Sequence, residues 1–199
     1  MRRPKESLNV TGRELVSPEL VERCKAGDEE AWRALVDATH REVYTLCLRI
    51  LRDPDDAAEA TQDAYLKAWR ALSGFRGDAM FTTWLYRVAA NTAISKHRTR
   101  TRRRKHETGV GDEMLGRFAA SGSTESSATA RVEVAALERA LARLPEHYRT
   151  AVVLRDVYGL PIEEIAKQQR ISATAAKVRV HRGRKKLKEL VYPDSEEEV

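Results

Sequence analysis

Apolar residues recur at three- and four-residue intervals along most of the chain, which predicts helices and an all-α fold. Ala31, Leu35, Ala38, Val43, Leu46, Cys47, Ile50 and Leu51 mark a helix from Asp28 to Leu51, after a shorter one from Pro18 to Lys25. Gly27 is suited to closing the first of these and Asp28 to capping the second. Asp53-Pro54 then starts a helix whose expected buried stripe is Ala58, Thr61, Tyr65, Trp69 and Leu72. A loop from Ser73 to Met80 follows, with two glycines and Phe75. In the next helix Phe81, Trp84, Leu85, Val88 and Thr92 form the inner face; Thr83, Tyr86, Arg87, Ala90, Ile94 and His97 face outward, with Asn91 at the border.

Periodicity fades between Glu107 and Ala130, where Gly, Ser, Thr and Ala dominate, a linker composition. It returns from Arg131 to Arg143 and, after Leu144-Pro145, from His147 to Tyr158. The stretch from Gly159 to Leu190 reads as a helix-turn-helix. Pro161 fits a first helical position, a break falls at Gln169–Arg170, and Ser172 caps the second helix. There Ala176, Val180, Gly183, Leu187 and Leu190 share an inward face, while Thr174, Lys177, Val178, His181, Arg182 and Lys185 lie opposite. That opposite side suits the DNA major groove, and it also fits an ordinary solvated face.

The sequence has 199 residues, enough for one large or two small domains, and 42% are hydrophobic. The net charge of +6 is modest but clustered, with seven Lys and Arg from Lys96 to His106 and seven from Ser172 to Leu190, against one acid in the latter. Clustering of this kind points to nucleic acid. No apolar run approaches the ~18 residues that span a membrane, and MRRPKESLNV has no signal-peptide core, so cytoplasmic placement is expected. Cys24 and Cys47 are too few for a disulfide framework. His40 and Cys47 lie ~10 Å apart along a helix axis, too far to share one zinc. No cofactor or metal is expected, and no phosphate-binding glycine motif, nucleophile elbow or paired His-Glu motif argues for an enzyme.

Two polar surfaces admit more than one reading. Glu59, Gln62, Asp63, Leu66 and Arg70 form a strip with one exposed leucine, which fits either a partner or solvent. The outer face from Tyr86 to His97, followed by the basic run, offers stacking and phosphate attraction for single-stranded DNA, or an ordinary basic surface.

Three segments taken together carry a resemblance: DPDDAAEATQDAYLKAW at 53–69, FTTWLYRVAANTAISKHR at 81–98 and LPEHYRTAVVLRDVYGLPIEEIA at 144–166. In this order they resemble a bacterial RNA polymerase sigma factor of the extracytoplasmic function (ECF) group, over roughly Ser17 to Val191. The resemblance implies two small helical domains joined by a flexible linker. It divides the chain into an arm at 1–17, a region-two domain at 18–106, a linker at 107–130, a region-four domain at 131–192 and an acidic tail at 193–199. It makes Asp56, Glu59, Gln62, Asp63, Leu66 and Arg70 a docking surface for core RNA polymerase. It assigns the minus-ten promoter element to Ser73, Gly74, Phe75, Arg76 and Asp78 of the loop and to Tyr86, Arg87, Asn91, His97 and Arg98 of the next helix. The minus-thirty-five element falls to Thr174, Lys177, Val178, His181, Arg182 and Lys185. An anti-sigma factor is an implied third partner, besides polymerase and promoter DNA.

In this mechanism, unstacking a base costs a few kcal/mol and capture of the extruded base offsets it. The promoter elements lie roughly 35–70 Å apart, whereas a Gly- and Ser-rich segment of this length has an r.m.s. span of about 27 Å. Polymerase is therefore expected to hold the domains apart. Departures from the family pattern limit the transfer. Ala60 and Ser95 stand where acids are usual, Gln169 and Arg170 replace Leu-Gly, Val178 replaces serine and Gly183 alanine. Gly183 is expected to cost roughly 0.5–1 kcal/mol of helix stability relative to Ala, and Val178 to alter promoter preference. A stand-alone helix-turn-helix regulator is the rival reading, but it leaves the motifs from Asp53 to Arg98 unexplained.

Overall fold

The computed structural model describes residues 16–108 and 128–193, and among them there is helix and no strand. Most of the expected arm, of the linker and of the acidic tail lies outside the described residues. The first half contains α1 (Pro18–Lys25), α2 (Glu29–Leu51), α3 (Pro54–Ala71) and α4 (Phe81–Thr108). The second contains α5 (Ala128–Arg143), α6 (Glu146–Val152), α7 (Ile162–Gln169) and α8 (Ala173–Val191). A single 3-10 turn, Leu72–Gly74, extends α3, and a π turn, Val153–Val157, extends α6.

The caps follow local chemistry. Ser17, Asp28, Asp53 and Ser172 each accept a hydrogen bond from an orphan amide of the helix they precede. Gly27 adopts a φ of +86°, as a residue between two abutting helices must. Pro161 sits one place earlier than expected, as the N-cap of α7 rather than its first residue. Helix ends also differ at the linker, since α4 continues to Thr108 and α5 begins at Ala128.

The α3 stripe is rotated from the one expected. Ala57, Ala60, Thr61, Ala64, Tyr65 and Ala68 are buried, whereas Ala58 is exposed and Trp69 is 40% exposed. The reason is close packing: α3 lies against both α2 and α4, and a seam of alanines lets three helices approach where an indole would hold them apart. Trp69 instead rides at the edge, 4.9 Å from Trp32 in an edge-on contact. Deeper in, Tyr65 shares a hydrogen bond of 2.8 Å with Thr39, which satisfies both buried hydroxyls.

The two halves also touch directly. Their buried apolar residues form one continuous cluster, with α6 against α2 and α7 against α4. Arg149 of α6, only 4% exposed, spans the boundary. It donates from Nε to the Arg49 carbonyl at 2.9 Å, from Nη2 to the Ile50 carbonyl at 3.2 Å and from Nη1 to its own domain's Leu144 carbonyl at 2.8 Å. Arg49 and Ile50 belong to the last turn of α2, whose carbonyls have no partner within the helix. A guanidinium from one domain thus caps a helix of the other, in a polarity that suits the helix dipole.

Candidate nucleic-acid and polymerase interfaces

Because alanines turn the inner face of α3 toward α2 and α4, the opposite face is left to solvent. Glu59, Gln62, Asp63, Leu66 and Arg70 are all exposed on it, and Leu66 is 55% exposed. Leu66 is thus an apolar side chain open among charged neighbours. Asp56 differs: it turns toward α4, where Arg100 Nη1 reaches it at 2.5 Å and Lys96 Nζ at 3.3 Å. Lys96 also meets Glu59 at 2.6 Å. Burial alone would lower the pKa of the Lys96 ammonium, but the hydrogen bonds it donates to Glu59 and Asp56 outweigh burial and hold the group above the usual lysine range. Part of the basic run expected to meet phosphates is therefore engaged with acids of α3.

The loop after α3 presents Ser73, Gly74, Arg76 and Asp78 to solvent, and Gly77 carries a φ of +80° that fixes the turn. Phe75 is partly buried. Its ring lies 5.5 Å from Phe81 edge-on and 5.4 Å from Trp84, and Lys25 sits over it at 5.4 Å. In this conformation Phe75 anchors the loop, and the polar residues around it form the accessible rim.

The outer face expected for α4 is largely covered, which corrects the sequence reading. Tyr86, Ala90 and Ile94 are buried; Arg87, His97 and Arg98 are partly buried; only Asn91 of the group is exposed. A helical period separates a helix's two sides but does not reveal what packs on the second one. Here Tyr158 of the second domain meets the Tyr86 ring at 4.9 Å, and Arg98 donates to the Gln168 carbonyl of α7 at 2.9 Å.

The helix-turn-helix has the expected form. Arg170 closes α7 at φ +54° and ψ +50°, in the left-handed region that favours glycine. Gln169 accounts for its own departure from the family pattern: its amide donates to the His147 carbonyl at 3.2 Å and accepts from Arg179 at 2.7 Å, tying α6, α7 and α8 together. Ala176, Val180 and Gly183 are buried, and Thr174, Lys177, Val178, His181, Arg182 and Lys185 are all exposed on one side. An open groove of about 420 Å³ runs beside this face, lined by His147 and Tyr148 of α6 together with Thr174, Val178 and Arg182. Burial first, and then the charge of Arg179, lower the His147 pKa below the usual histidine range. Nothing in the helical period singles out His147, Arg149 or Tyr158; only the packing of α6 brings them to the groove and the boundary.

Gly183 needs a different account from helix propensity. A Cβ there would stand 2.6 Å from Val152 Cγ2 and 3.2 Å from the Tyr148 carbonyl oxygen. The glycine lets α8 lie close on α6, a packing benefit that its helix-propensity cost leaves out of account.

Comparisons with known proteins agree with this arrangement. The sequence pattern of sigma-70 region 2 matches residues 35–103 and that of sigma-70 region 4 matches residues 135–187. The chain is 34% identical to the RNA polymerase sigma-H factor of Pseudomonas aeruginosa, over 88% of this chain and 93% of that protein. It is 32% identical to the ECF RNA polymerase sigma-E factor of Escherichia coli K12, over 90% and 96%. It is 29% identical to the ECF RNA polymerase sigma factor SigW of Bacillus subtilis, over 88% and 96%. Two solved structures share the fold at 24% identity. One is CnrH in complex with the cytosolic domain of CnrY, with a TM-score of 0.56 over 89% of this chain and 97% of that one. The other is the sigma factor RpoE of Bartonella quintana in complex with the anti-sigma factor NepR, with a TM-score of 0.60 over 80% and 95%. With both regions present in order and a relative above 30% identity along nearly the whole length, the chain belongs to the ECF group of the sigma-70 family of RNA polymerase sigma factors.

Proposed function

We propose that this chain is an alternative sigma factor that binds core RNA polymerase and directs promoter-specific initiation, with the labour divided between its two halves. The observation that carries this reading is the presence in one chain of segments matching region 2 and region 4, in that order. The rival, a stand-alone helix-turn-helix regulator, has no use for the first of them. Polymerase docks on Glu59, Gln62, Asp63, Leu66 and Arg70 of α3. The loop at Ser73, Gly74, Arg76 and Asp78 captures an extruded minus-ten base. Thr174, Lys177, Val178, His181, Arg182 and Lys185 read the minus-thirty-five duplex. The role is one of binding rather than catalysis and is exercised in the cytoplasm. No described helix is long and apolar enough to cross a membrane. An anti-sigma factor is a further partner, as NepR is for RpoE of Bartonella quintana.

Purified protein added to core polymerase on a library of genomic fragments is expected to start transcripts at discrete sites that core alone ignores. Absence of both core binding and such starts would refute the proposal. Two substitutions test the assignments. Leu66→Ala with Gln62→Ala should weaken capture of core by roughly tenfold or more, in line with truncation of a buried hot spot, while circular dichroism stays unchanged. Unaltered capture would return the strip to solvent. Arg182→Gln with Lys185→Gln should reduce the slope of log affinity against log salt on minus-thirty-five DNA by about 2, one for each phosphate no longer neutralised. An unchanged slope would show that neither residue meets phosphate.

A further inference from the structure

We propose that the groove between α6 and α8 is a second DNA subsite, which takes a backbone phosphate of the upstream duplex, and that His147 gains a proton as the phosphate enters. The inference rests on the assignment of the outward face of α8 to duplex DNA. The groove shares Thr174, Val178 and Arg182 with that face, so a duplex seated there lies along its mouth. Among its other lining residues are His147 and Tyr148 of α6 and Arg179 of α8, none of which belongs to the face. Gln169 of α7 braces the groove. Its amide nitrogen donates to the His147 carbonyl at 3.2 Å, and its carbonyl oxygen accepts from Arg179 Nη1 at 2.7 Å. A leucine, usual at this position in the family, makes neither bond. The residue that departs from the pattern thus holds an imidazole and a guanidinium on the two helices that line one groove.

The groups around the imidazole suit an anion. From α8 it faces Arg179 and Arg182, and from α7 the neutral Gln169. On α6 itself its neighbours are Tyr148, whose ring lies 4.1 Å away, and Glu146, which accepts from the Thr150 hydroxyl at 3.3 Å. Among the described residues no acid lines the groove, and no hydrogen bond engages either ring nitrogen of His147. Arg179 spends one donor on Gln169 and keeps the rest of its guanidinium fork. In the free protein, burial and the Arg179 charge oppose protonation of His147. A phosphate reverses the balance, because it offsets the arginine charge and accepts a charge-assisted hydrogen bond from the imidazolium. The bound state then holds the proton more tightly than the free state. By linkage, the gain in affinity is complete below the free-state pKa and is lost as pH rises through the bound-state pKa.

The test uses the full-length chain and anisotropy of a fluorescein-labelled, random-sequence duplex of about 30 base pairs, since a phosphate contact carries no sequence information. Between pH 5.5 and pH 8.0 the wild type should lose about tenfold more affinity than His147→Gln, the linkage of a one-unit rise in the imidazole pKa on binding. Taking the difference between the two proteins removes the contribution of every other histidine, His181 of α8 included. His147→Arg, charged at every pH, should bind about tenfold tighter than His147→Gln at both ends of the range. Its log affinity should also fall more steeply with log salt, by about 1. A side chain that only props the groove open would not be replaced by charge in this way. Parallel pH profiles for the wild type and His147→Gln, or an arginine variant that binds no tighter than the glutamine one, overturn the subsite. Promoter-dependent synthesis by the wild type with core is scored separately. If synthesis succeeds while the profiles coincide, only the subsite falls; if the profiles separate without synthesis, the sigma assignment falls and the subsite stands.

Discussion

Gly183→Ala is expected to destabilise the protein by about 1–3 kcal/mol, the usual cost of forcing a methyl group into a filled site. Helix propensity alone predicts the opposite sign, a gain of roughly 0.5–1 kcal/mol. The contact geometry decides between them. The added Cβ would lie 2.6 Å from Val152 Cγ2, closer than real Cβ contacts come, and Val152 is itself buried at 3% exposure. The next neighbour, the Tyr148 carbonyl oxygen at 3.2 Å, is backbone and gives less easily still. Relief comes by lifting α8 from α6, which also displaces the face proposed to read DNA. Urea titration should therefore show lost stability, and minus-thirty-five affinity should fall with it. A variant as stable as the parent would mean that α8 stands farther from α6 than described.

Ala60→Asp should be more severe, by about 3–5 kcal/mol at neutral pH. The residue at position 60 is fully buried, 0% exposed, in the seam of α3 with α2 and α4. A carboxylate placed there has its folded-state pKa raised by desolvation, by up to 3–5 units at about 1.36 kcal/mol each. The sign follows from linkage. The folded state then binds the proton more tightly than the unfolded state, whose pKa is ~3.9, so the penalty is largest well above that pKa and shrinks as pH falls toward it. Denaturation at pH 7 and again near pH 4.5 should show the deficit relative to the parent narrowing. A substitution tolerated at pH 7 would put position 60 at the surface and turn α3 back to the stripe its sequence first suggested.

That stripe illustrates which parts of the fold were legible beforehand. Helix positions and caps at Asp28, Asp53 and Ser172 were readable because capping is local chemistry. The inner and outer faces of α8 were readable because that helix packs on one side only. For α3 the period was right and the phase was off, since large residues were favoured for the interior where two close neighbours demanded alanine. For α4 the expected outer face is largely buried, and Tyr86 gives no local sign that Tyr158, 72 positions later, covers it. Arg149 was invisible for the same reason: its worth lies in carbonyls of Arg49 and Ile50, about a hundred residues away. Of the site residues, those on single exposed helix faces are exposed as expected, and those at the domain boundary are not.

The trans-domain cap on α2 has a consequence for how the protein can be watched. While Arg149 holds the carbonyls of Arg49 and Ile50, the last turn of α2 is closed by a residue from elsewhere. When the domains part, that turn loses its partner and begins to fray. The amides near Leu51 and Arg52 then become a natural gauge of the distance between two halves of the molecule, read by hydrogen exchange without a label or a promoter.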